Sequence, residues 1–204
     1  MTSPRLVLAS ASPRRRELLA RLHAGFVVRA AEVDETPRAG EAPEAMVLRL
    51  ALEKARAAAR EDEIVLGADT VVAVDGEILG KPGDDATALA MLRRLSGRSH
   101  EVWTGVALVA AGRELVRACR TEVLFRRLGE QEMAAYVATG EPRDKAGAYG
   151  IQGGAAAFVE RVEGDFTNVV GLPLPLVAEL LAELGPEPSS SSVQDRRQKS
   201  ERLP

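Results

Sequence analysis

The chain has 204 residues, 46% of them hydrophobic and 28% charged, with a formal net charge of −3. That length and balance suit one folded domain with a real core, and the slight negative charge excludes broad electrostatic binding to nucleic acid. The single cysteine, Cys119, excludes an internal disulfide, and aromatics at 3% exclude a platform of rings for base stacking.

In chain order, Arg5–Ala9 reads as a short strand and Pro13–Leu22 as a helix, with Ser12 at its N-cap and Pro13 in its first turn. Glu44–Arg60 is a predicted helix in which Ala45, Leu48, Leu52, Ala55 and Ala59 recur at spacings of three and four, one expected buried stripe. "IVLGADTVVAVDGEIL" predicts two strand segments turned at Asp75-Gly76. Asp84–Leu95 follows as a helix, capped by Asp84 and closed by Gly97. Val102–Val109 and Glu114–Phe125 read as strands around Ala111-Gly112, Glu130–Ala138 as a short helix ending near Gly140, Ala156–Val162 as a strand and Pro175–Leu184 as the last helix. The alternation predicts an α/β fold with a mixed sheet. Residues 1–185 are expected to form the domain, and 186–204, with almost no apolar residues, a disordered polar tail. No apolar run reaches the roughly 18 residues of a membrane span, and the apolar stretch after Arg5 is too short for a signal peptide. A reducing cytoplasm is the expected setting.

Four clusters can carry chemistry. In "LASASPRRRELL", Arg14, Arg15 and Arg16 repel one another at the end of a helix that is already positive. An anion there would relieve them: free backbone N–H groups, the guanidinium forks of Arg14 and Arg15 and the hydroxyls of Ser10 and Ser12 together suit phosphate. A solvated basic turn is the plain alternative. In "VLGADTVV", Asp69 and Thr70 follow an apolar strand, where an acid can act as base or metal ligand, or simply sit in a turn. The third cluster is the acids Glu32, Asp34 and Glu35 with Lys54, which could be a surface lysine, and Lys81, held between Gly80 and Pro82. The fourth is the glycine-rich "EPRDKAGAYGIQG", where backbone can approach a ligand closely. Neither GxxxxGK[ST] nor GxGxxG occurs.

These pieces, with "EVDE", "EKA", "LGKP", "LRRLSGRSHEVWTGVAL" and "VEGDFTNVVGLPL", resemble in their order the Maf family of nucleotide pyrophosphatases over nearly all of Arg5 to Leu184. The resemblance implies an α/β single domain, Maf/ITPase-like, with a central mixed twisted sheet flanked by helices around a nucleotide-binding cleft. It implies cleavage between the α and β phosphates of a nucleoside triphosphate, a divalent cation (Mg²⁺ or Mn²⁺), cytoplasmic location, and compatibility with a homodimer. The "DKAGAYGIQG" loop resembles the branch acting on dTTP and UTP, with modified pyrimidine nucleotides also in range. By the same resemblance Asp69 is the catalytic proton acceptor, and Arg14, Thr70 and Gln152 fall at positions tied to substrate choice. Ser10, Arg15, Glu32, Lys54 and Lys81 match polar residues of the family's cleft, Glu32 being the second metal candidate after Asp69. Neither nucleic acid nor a membrane is expected as a partner. Nucleotide-pool cleansing and arrest of cell division are the roles the family suggests. The rival reading is a nucleotide-binding regulator of septum formation without turnover, which would need the arginines but not the Asp69 carboxylate.

Overall fold

The computed structural model describes residues 4–185; the expected tail lies outside the described residues. Seven strands form one mixed sheet: β1 (Arg5–Leu8), β2 (Phe26–Val28), β3 (Glu63–Val74), β4 (Glu77–Leu79), β5 (Ser99–Ala110), β6 (Arg113–Phe125) and β7 (Val159–Glu163). The order is β2-β1-β3-β5-β6-β7, with β4 paired to β3. The β2-β1 and β1-β3 pairs are parallel and the rest antiparallel.

Helix α2 (Pro43–Ala58) covers one face of the sheet. The other face carries the larger core, to which α1 (Pro13–Leu22), α3 (Asp85–Leu95), α4 (Glu130–Ala138), α5 (Phe166–Val170) and α6 (Leu174–Leu184) contribute. Capping follows the sequence signals: the Ser12 hydroxyl accepts from Arg15 N and the Asp84 carboxylate from Thr87 N.

Two glycines explain how α2 sits so close. A Cβ on Gly67 would lie 2.1 Å from the Ala51 carbonyl oxygen, and one on Gly105 would lie 2.1 Å from that of Val47. Because they line the floor under α2, the helix rests directly on strand backbone. This seat also corrects the expected stripe. Ala45 and Ala59 are exposed and Leu48 and Leu52 half-buried, whereas Met46, Val47, Leu50, Ala51, Lys54, Ala55 and Ala58 are buried. The true buried face contains a lysine, so apolar periodicity alone misplaced it.

Other corrections are local. Ala156–Val162 is not one strand: Gly154–Phe158 is a 3-10 turn and the strand starts at Val159, since the small residues before it carry little strand preference. The glycine-rich stretch forms 3-10 turns at Glu141–Asp144 and Ala146–Ala148. Strand β2 and helix α5, three and five residues long, were not foreseen.

The sheet's decisive feature is a gap. On the edge of β3 away from β5, β1 pairs with Glu63–Leu66 and β4 with Val72–Val74. Between them, residues 67–71 have no strand neighbour on that edge.

Candidate active site

Asp69 and Thr70 occupy this gap. Asp69 is therefore mid-strand, neither in a turn nor at a strand end as the sequence suggested, because β3 runs on to Val74. Successive strand residues point to opposite faces. Asp69 projects to the α2 side and Thr70 to the side of α1 and α5. Both reach one cleft of about 1030 Å³ because no strand covers this stretch of edge. The cleft is also lined by Ser10, Arg14, Arg15, Glu32, Lys54, Lys81 and Gln152, so the residues named by the resemblance come to one place; Asp34 of the third cluster does not line it, its carboxylate accepting instead from the Thr36 N–H.

On the α2 side, Lys54 is 7% exposed and Asp69 likewise. Lys54 Nζ donates to Asp69 Oδ1 at 2.6 Å and to Glu35 Oε1 at 2.5 Å, and Lys81 Nζ reaches Glu35 Oε2 at 3.4 Å. Lys54 is thus no surface lysine. Burial disfavours the charged Glu35, but the hydrogen bond and charge of Lys54, with Lys81 behind, outweigh it and hold the carboxyl below its usual range. Asp69 Oδ2 accepts no hydrogen bond from a described residue.

Neither motif nor resemblance gives Glu35 a role, yet it sits between Lys54 and Lys81. It rides on the long connection between β2 and α2, which is pinned at both ends by two-pronged pairs. Arg29 holds Glu63 at one end, and Arg49 holds Glu41 at 2.6 and 2.7 Å at the other. That second pair keeps the Glu41 carboxyl at a pKa of about 2. Glu32 lines the same cleft.

On the other side, the arginine pair divides. Arg15 Nε donates to the Gly171 carbonyl at 2.8 Å, Nη2 to Thr70 Oγ1 at 3.0 Å and Nη1 to Ser10 Oγ at 3.3 Å. Burial pulls its pKa down, with Asp69 and Glu35 opposing, yet a guanidinium stays charged. Thr70 Oγ1 also lies 2.9 Å from Thr104 Oγ1. Arg15 is therefore a brace joining α1, β3 and the end of α5, whereas Arg14 makes no ion pair with a described residue. The expected fork of two arginines reduces to one free fork at the N-terminus of α1.

The cleft's third wall is the glycine-rich segment. The Gly147 N–H donates to the Gly80 carbonyl at 3.1 Å, and a Cβ at Gly147 would meet Val72 at 2.8 Å, so the loop lies against β3 and the segment holding Lys81. Behind it, Tyr149 OH is 2.8 Å from Nε2 of buried His100. Gln152, in this wall, is exposed.

Among the described residues, no three His, Cys, Asp or Glu side chains gather to hold a metal unaided. The donor set instead fits a hard cation arriving with phosphate, which needs only one or two protein carboxylates. Cys119, half-buried with its thiol pushed up by burial, lies outside the cleft. No helix among the described residues is long and apolar enough to cross a membrane.

The family described as "Maf-like protein" matches residues 5–184. A protein of Moorella thermoacetica named dTTP/UTP pyrophosphatase is 57% identical over 185 residues, covering 89% of this chain and 95% of its own. Proteins of the same name from Symbiobacterium thermophilum and Geobacter sulfurreducens are 55% and 54% identical, covering 88% and 91% of this chain and 94% and 99% of theirs. The match runs from β1 through α6 and so takes in every wall of the cleft: this chain is a member of the Maf family.

Proposed function

We propose that the protein hydrolyses the α–β phosphoanhydride bond of pyrimidine nucleoside triphosphates, dTTP and UTP first, to the monophosphate and pyrophosphate. The observation that carries this reading is the gap in the sheet edge. It puts a buried carboxylate with one oxygen uncommitted in the same cleft as the N-terminus of α1 and its free Arg14. The names of the relatives support the substrate class.

In this mechanism Lys54 holds Asp69 Oδ1, which leaves Oδ2 to accept a proton from the attacking water. The water oxygen bonds to the α-phosphorus, the bond from that phosphorus to the bridging oxygen breaks, and pyrophosphate leaves with the electron pair. Arg14, Lys54 and Lys81 offset its charge, and the amides at the start of α1 add donors without a full charge. Charged side chains of both signs are evenly matched around the cleft: Arg14, Arg15, Lys54, Lys81 and Lys145 face Glu32, Glu35, Asp69, Glu141 and Asp144. A triphosphate would add several negative charges to this balanced set, which favours a divalent cation accompanying it. Asp69 with Glu35 or Glu32 would hold that cation, which when bound polarises phosphate oxygens. Gln152 offers one donor and one acceptor, matching the N3–H and O4 edge of uracil and thymine.

Pyrophosphate release from dTTP, UTP, CTP, ATP and GTP with Mg²⁺ or Mn²⁺ tests the reading. Asp69→Asn should lower kcat by about 10² or more while the protein stays folded. Binding without turnover in the parent would favour the regulator of septum formation instead.

A further inference from the structure

We infer that Tyr136 and Glu141, to which neither motif nor resemblance assigns a role, form a clamp that sets the position of Gln152 and thereby the choice of base. The inference rests on the proposed function. Tyr136 is buried on α4, and Glu141 starts the 3-10 turn that follows. Tyr136 OH donates to Glu141 Oε1 at 3.0 Å and accepts from the Gly150 N–H at 3.1 Å. Glu141 Oε2 accepts from the Gly154 N–H at 3.0 Å. The result is a closed chain, from Gly150 N–H to phenol to carboxylate to Gly154 N–H, gripping the loop two residues on either side of Gln152.

The glycines record how tightly the carboxylate is wrapped. A Cβ at Gly153 would stand 2.1 Å from Glu141 Oε1, and one at Gly150 would stand 3.0 Å from it. Cβ atoms at Gly154 would press on the Tyr136 ring at 3.1 Å. Glu141 is also in place independently of the loop's ligand, because Lys145 Nζ holds its backbone carbonyl at 2.6 Å. A Gln amide meets the two neighbouring groups of a pyrimidine edge together only from a fixed distance and direction, and the clamp sets both by holding the backbone two residues to either side of Gln152. Tyr136 and Glu141 are positioning residues in this sense; they act on the base through Gln152.

The test uses the full chain with Tyr136→Phe, which keeps the ring and its packing and removes only the hydroxyl, and Glu141→Gln and Glu141→Ala. Amide exchange at Gly150 and Gly154 is followed by NMR, and kcat/KM is measured for UTP and ATP. Tyr136→Phe removes both hydrogen bonds of the hydroxyl and should speed exchange at Gly150 and lower the UTP/ATP preference by about tenfold. The loss should lie in KM for UTP, with kcat little changed and the melting temperature lowered by only about 2–4 °C. Glu141→Gln, which can still accept from Gly154, should restore most of the preference that Glu141→Ala loses. Unchanged exchange in Tyr136→Phe, an unchanged UTP/ATP ratio, or equal losses on both nucleotides would each overturn the clamp. A parent that releases no pyrophosphate from either nucleotide refutes the proposed function, and amide exchange still decides the clamp.

Discussion

Gly105→Ala places one methyl group where α2 now lies. Its Cβ would be 2.1 Å from the Val47 carbonyl oxygen and 2.4 Å from its carbon, both backbone atoms that no rotamer change can move. Ordinary contact begins at 3.4 Å, so the helix must retreat by about an ångström at this turn. Gly105 pairs directly with Asp69 across the β3–β5 ladder, and Lys54 hangs from the same helix two turns on. Retreat therefore stretches the 2.6 Å contact between Lys54 and Asp69 as well as loosening the core. Overpacking of this kind costs about 1–3 kcal/mol, and a backbone obstacle belongs at the upper end. For a chain of this size that lowers the melting temperature by about 5–10 °C. Gly67→Ala should behave alike, and the double variant should lose less than the sum, since one lifted helix makes room for both methyls. Gly83→Ala, with nothing within 4 Å of its Cβ, is the control and should melt with the parent. Melting curves and pyrophosphate release on the three single variants decide it. If Gly105→Ala melts within about 1 °C of the parent, the glycine seat does not hold α2.

Arg14→Ala should cut kcat/KM for dTTP by one to two orders of magnitude, from a charge-assisted bond worth about 1.5–3 kcal/mol, with Lys restoring only part. A changed ranking of bases with kcat/KM for the best substrate untouched would remove Arg14 from the phosphates. Gln152→Ala should lower kcat/KM for dTTP and UTP by about tenfold and leave the purine nucleotides where they are, whereas equal losses on all would make Gln152 a support for the loop. His100 is 2% exposed, and burial pushes its pKa down to about 4 from a usual 6.5. The folded state thus refuses a proton that the unfolded chain accepts. Its contribution is complete above pH 6.5 and drains away as pH falls towards 4, by about 3 kcal/mol in all. Urea unfolding of the parent and His100→Gln from pH 7.5 to 4.5 should show this extra loss only in the parent; parallel curves would refute it.

Where side chains alternate or recur regularly, the sequence was readable. The long strands and the capped helices α1, α3 and α4 follow from period, Ser12, Asp84 and Gly140, all local signals. What escaped is non-local. Phe26–Val28 is a strand only because β1 lies beside it. The gap that opens the cleft requires β1 and β4, far apart in the chain, to share one edge of β3. The candidate residues could be named together through the family resemblance, but their arrangement could not. Nothing in "EKA" says that Lys54 faces inward, and nothing in "PRRRELL" says that Arg15 turns to Gly171 while Arg14 stays free. Glu35 escaped for the same reason: only the burial of Lys54, seen in the structure, singles it out among the acids of "EVDE".

Asp69 and Thr70 are adjacent in the chain yet serve opposite faces of the sheet, in the middle of the nine paired positions between β3 and β5. A slip of that ladder by a single residue would exchange them, sending the carboxylate towards Arg15 and the hydroxyl towards Lys54. No intermediate register offers a weakened version of the site. The proposed catalytic arrangement is thus digital with respect to strand alignment, and it arises only when two strands separated by β4 and α3 have found each other. Recovery of activity during refolding should therefore trail the return of helix signal and mark the moment the sheet locks into alignment.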